Sequence, residues 1–132
     1  MTWFLTLSLL FTAGAIGGLI NAFVVWFFGF KGISAVVGVQ LVPKMTTAFL
    51  YPKIVWGGLW GLLFILAKEK ESLFYMAAVI SLAPTLMQLL YVFPKQDVGL
   101  GGLKLGKLTP YLVFIFNLFW AYSAATWIYF AG

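Results

Sequence analysis

The chain has no cysteine and no histidine, and all eight of its basic residues are lysine. Without cysteine there is no disulfide framework and no thiol chemistry. Without histidine, the commonest metal and haem ligand and the usual neutral-pH proton carrier are missing. The absence of arginine removes the planar fork that grips phosphates bidentately, so the formal net charge of +5 does not point to nucleic acid. Carboxylates are scarce too: Glu69, Glu71 and Asp97 lie outside every apolar run. A hydrolase needs a nucleophile beside a base. A proton-coupled transporter ordinarily keeps a carboxylate or histidine among its apolar helices. Metal and haem centres draw on His, Cys, Met or carboxylate ligands, and beyond Met1 only Met45, Met76 and Met87 remain. The expectation is a protein without enzymatic activity, cofactor, metal or nucleic-acid partner.

Apolar residues fill the space these absences leave. Of 132 residues, 64% are hydrophobic, 20% aromatic and only 8% charged, against about 25% charged in soluble domains. The apolar runs reach the roughly 20 residues needed to cross hydrocarbon. The reading is a single-domain, all-α integral membrane protein with four transmembrane helices in a small bundle. The spans fall at about residues 3–30, 48–67, 72–93 and 110–130, with interfacial loops at 31–47 and 94–109. The first run lacks the basic start of a signal peptide and continues past its small residues, so it is read as retained. Thr46 or Thr47 is expected to cap the second span, and Thr109 before Pro110 the fourth. Pro84 should kink the third. The glycine-rich loop 94–109 is expected to be a flexible, amphipathic surface segment.

Each span carries a pair of small residues four apart. These are Gly14 and Gly18, Gly57 and Gly61, Ala77 and Ser81, and Ala121 and Ala125. Such pairs let helix backbones approach closely in lipid, where dispersion contacts drive association. Ala13 and Gly17 are expected to widen the Gly14 face. Trp3, Trp26 and Trp127 read as interfacial anchors. Trp56, Trp60 and Trp120 lie deeper and suit packing or a flat apolar ligand. Expected partners are membrane lipids and other integral membrane subunits, or further copies of the chain.

Four amide or charged side chains lie within the spans: Asn21, Lys53, Gln88 and Asn117. For Lys53 the favoured reading is a lysine snorkelling to the headgroups. For the amides it is interhelical hydrogen bonding, worth about 0.6–2 kcal/mol each. A polar path is the alternative, and it requires the amides to converge on one cavity.

A shift of 64 residues superposes Ser8 on Ser72, Ala13 on Ala77, Lys31 on Lys95, Gly38 on Gly102, Leu41 on Leu105 and Trp56 on Trp120. This pattern fits two parallel helix–loop–helix repeats. Six lysines fall at the long-loop end (31, 44, 53, 95, 104 and 107), against Lys68 and Lys70 at the other. The positive-inside rule then puts both termini on the non-cytoplasmic side, in the setting of a bacterial inner membrane. Small-residue faces on every span favour an accessory or structural subunit of a membrane complex, or a small helix-packed oligomer. A small channel or carrier for a neutral or anionic solute is the alternative, and a lipid- or quinone-binding protein a third reading.

Overall fold

The computed structural model describes residues 2–67 and 69–131. Lys68, counted above for orientation, lies outside them. Four helical stretches are long and apolar enough to cross a membrane: Trp3–Phe30, Thr47–Leu66, Lys70–Lys95 and Thr109–Ala131. They match the expected spans to within about two residues at each end, the ordinary fraying of helix boundaries.

Helix α1 (Thr2–Phe30) is the long central rod. A short α2 (Ile33–Val36) follows it. Helix α3 (Thr47–Gly61) continues as a 3-10 turn through Leu66. Thr46 caps it as expected, its hydroxyl accepting from the Phe49 N–H at 3.2 Å. The third span is broken into a 3-10 turn, α4 (Leu73–Ile80), α5 (Leu82–Met87), a π turn (Gln88–Val92) and α6 (Phe93–Lys95). Pro84 lies inside α5 and contributes no N–H, so the ladder slips around it. Helix α7 (Thr109–Ala131) closes the chain.

Helix α1 packs chiefly on α3 and α7, and α7 in turn on α4 and α5. The α1–α3 seam is backbone on backbone. A Cβ on Gly14 would collide with the Gly57 carbonyl oxygen, and one on Gly61 would stand 2.7 Å from the Gly14 Cα. A Cβ on Gly18 would strike the Lys53 carbonyl oxygen. The two glycine pairs therefore face each other, across one antiparallel crossing. Ala77, Ser81, Ala121 and Ala125 are likewise fully buried within the chain. Gly17 departs from expectation. Its missing side chain accommodates the Trp120 backbone, 2.5 Å from where a Cβ would sit. With buried Ala13 it forms a second face toward α7, because adjacent helical positions are rotated by about 100°.

At the short-loop end the spans converge on a core that includes Phe64, Leu73, Ala77, Trp120 and Ala124. At the other end the two long loops clasp each other. The Gln40 N–H donates to the Leu105 carbonyl at 2.8 Å. Gly106 leaves no room for a side chain beside the Gly38 carbonyl, and Val39, Ser34 and Thr109 are fully buried. Residues 94–109 are thus tied to the first long loop, while Leu100, Leu103 and Leu108 along them stay exposed. The capping role expected of Thr109 is not realised: it lies inside the helix, and its hydroxyl has no partner.

Gly14→Leu or Gly57→Leu must force α1 from α3. Overpacking of this kind costs about 1–3 kcal/mol or more. Denaturant titration in non-ionic detergent should show this loss for either variant. Leu19→Ala, on the exposed side of α1, should be close to neutral.

Candidate functional site

Helix α3 and the second half of the third span do not pack against each other. Between them lies a cleft of ≈ 550 Å³ whose back wall is formed by α1 and α7. The local sequence explains the opening. Bare glycines draw α3 onto α1, while Pro84 and the π turn beginning at Gln88 interrupt the regular ladder of the third span, which packs on α7 instead.

All four polar residues singled out in the sequence line this one cleft: Asn21 from α1, Lys53 from α3, Gln88 from the π turn and Asn117 from α7. Lys53 lies six residues into α3, about 9 Å along the helix axis. Its Nζ stands 5.6 Å from the centroid of the Phe49 ring. Among the described residues no carboxylate lines the cleft with it. At the rim, the Lys95 ammonium sits 5.2 Å from the Tyr91 ring centroid.

The amides do not point to separate helix contacts. The Asn21 amide donates to the Phe116 carbonyl at 2.9 Å and more weakly to Asn117 Oδ1 at 3.4 Å. Asn117 Nδ2 donates to Thr85 Oγ1 at 2.9 Å. The Thr85 hydroxyl donates to the Ser81 carbonyl at 2.7 Å. One chain of hydrogen bonds thus ties α1, α7 and α5 together beside the cleft. Interhelical bonding and cavity lining, opposed in the sequence reading, are both true of Asn21 and Asn117. Gln88 is half-buried.

Trp120 closes the deep end. It is 3% exposed, and its indole N–H is shared between the carbonyls of Gly14 at 3.1 Å and Gly57 at 3.3 Å. Those oxygens can be reached because the surrounding positions lack side chains. Trp60 and exposed Trp56 complete an aromatic wall. The four small pairs do not line a ligand site as a group. Gly18 and Gly57 border the cleft, and the others are consumed in seams.

Thr85 and the donor role of Trp120 escaped the sequence reading. A signal for Thr85 existed, since Asn21 shifted by 64 lands on it and Lys53 lands on Asn117. A second large depression, between the outer faces of α1 and α7, is shallow, apolar and uncharged, lined by residues such as Ile20, Ile115 and Trp127. The chain matches no family model, and no curated protein or solved structure matches it.

The site therefore offers one ammonium, a set of amides and aromatic walls in a three-sided slot open toward Trp56 and Tyr91. Trp120→Phe keeps most of the ring and removes the donor. It should cost about 0.5–1.5 kcal/mol. Trp120→Ala should cost about 3–5 kcal/mol through the cavity it leaves. A Trp120→Phe variant as stable as the unaltered chain, read by denaturant titration in detergent, would contradict the shared bond.

Proposed function

We propose that this chain is a non-enzymatic integral membrane protein that binds an anionic amphiphile in the cleft between its second and third spans. The observation that carries the proposal is the convergence of Lys53, Asn21, Gln88 and Asn117 on one slot lined otherwise by aromatic and aliphatic side chains. In lipid, the gap between α3 and the π turn faces hydrocarbon, so a molecule with an acyl-like tail enters sideways. The tail lies along Trp56 and Tyr91, and the head reaches the ammonium. A charge held within a span is a functional feature by default, because leaving it there unpaired is costly.

Two competing readings lose their support. An accessory or structural subunit was suggested by small-residue faces on every span, but those faces are buried against one another inside this chain. A through-going channel is disfavoured because the cleft ends at Trp120, beneath which the spans close on Phe64, Ala121 and Ala125. The two-repeat reading, by contrast, gains support. Asn21 and Lys53 of the first half correspond to Thr85 and Asn117 of the second, and Trp56 to Trp120, all within or beside the same slot. Gly38 and Gly102, also 64 apart, both adopt positive φ, at 78° and 68°. Sites between repeats near mid-span are the usual arrangement in transporter folds. The lysine-rich clasp of long loops is taken to face the cytoplasm, with both termini opposite. No other subunit is required by this reading, and lipid is the partner.

The test is a titration of the full chain in dodecyl maltoside with dodecyl phosphate and with dodecyltrimethylammonium, followed by tryptophan emission. Dodecyl phosphate should bind and the cation should not. Lys53→Met should weaken the anion about tenfold, the scale of a hydrogen bond to a charged group. Equal binding of anion and cation, or indifference to Lys53→Met, would refute the proposal.

A further inference from the structure

The buried amides leave one acceptor unused. Asn21 is 5% exposed, and both of its N–H groups are engaged, by the Phe116 carbonyl and Asn117 Oδ1. Turning the amide over would set its oxygen against the Phe116 carbonyl oxygen, so the orientation is fixed. The bonds beyond it are fixed as well. The Thr85 hydroxyl is spent on Ser81, so Thr85 accepts from Asn117, which turns the Asn117 oxygen toward Asn21. What remains is Asn21 Oδ1, buried without a donor on a residue that lines the cleft, and one N–H of Asn117. Buried acceptors of this kind are rarely left empty. The neighbouring cation is Lys53, whose backbone carbonyl lies against Gly18, one turn from Asn21.

Resting on the amphiphile-binding reading, we infer that the head group taken by this site carries a hydroxyl donor beside its negative charge, as the monoanion of a phosphomonoester does. Its ionised oxygens face the Lys53 ammonium, and its P–O–H donates to Asn21 Oδ1. A single ammonium balances one negative charge, which favours the monoanion over the dianion. A carboxylate or a phosphodiester brings the charge but no O–H, and leaves the Asn21 oxygen unsatisfied. Discrimination of this type is strong when a site is built around a donor that the competitor lacks.

The test compares dodecyl phosphate with dodecyl methyl phosphate, which has the same tail and a single negative charge but no P–O–H. Both are titrated against the full chain in dodecyl maltoside at about pH 5.5, below the second phosphate pKa of about 6. The monoester should bind about tenfold tighter, the scale of satisfying one buried acceptor. Asn21→Leu should abolish that gap, read as the ratio of monoester to diester affinity in the variant. Equal binding of the two esters by the unaltered chain, which needs no variant, overturns the inference. If Lys53→Met still weakens both esters, the amphiphile-binding reading survives that result; if it weakens neither, both fall. An Asn21→Leu variant that binds both esters more tightly would also overturn the inference, because it would mean that the Lys53 ammonium occupies the oxygen itself.

Discussion

Where Gly14 and Gly18 meet Gly57 and Gly61, two helix backbones touch with no side chain between them. In lipid there is little gain from excluding water, so helices associate through close van der Waals contact. This seam sets the rest of the architecture. It fixes α3 against one side of α1, frees the carbonyls that receive the Trp120 indole, and leaves α7 to settle on the adjacent face through Ala13 and Gly17. With α3 held there and the broken third span packed on α7, the cleft is what is left between them.

The polar residues are tolerable inside such a molecule because most of their groups are paired. Ser81, Thr85, Asn117 and Asn21 hand hydrogen bonds along one line that crosses three helices. A fully connected network rigidifies, whereas an incomplete one leaves a group with unmet demand. Within this chain of bonds the unfilled position is Asn21 Oδ1, on a residue that lines the cleft with Lys53, whereas the unpartnered Ser34 and Thr109 hydroxyls lie under the loop clasp. Electrostatics and hydrogen bonding thus point to the same slot as the packing does.

The spans were legible in the sequence because length and apolar content alone decide which segments can cross hydrocarbon. The small pairs were legible as contact surfaces, but their partners were not. Gly14 bears the same pattern whether it meets Gly57 of its own chain or a helix of another. The separation of Gly17 from Gly18 onto different neighbours depends on tertiary angles that a pattern does not carry. Thr109 followed by Pro110 fits a helix start, yet the burial of Thr109 under the loop clasp overrode the cap. The four polar side chains could be named from sequence because each is conspicuous in an apolar run. Their convergence depends on how four helices pack, and the π turn that carries Gln88 leaves no residue signature of its own.

The central claim is that a polar slot lies within the apolar thickness, between the second and third spans. The chain has no native cysteine, so single thiols can probe it on a silent background. Gln88→Cys should react with a charged, membrane-impermeant thiol reagent in reconstituted vesicles, while Leu86→Cys and Leu90→Cys, on exposed apolar faces of the same segment, should not. If Gln88→Cys is as inert as its two neighbours, there is no polar slot at that depth and the account fails.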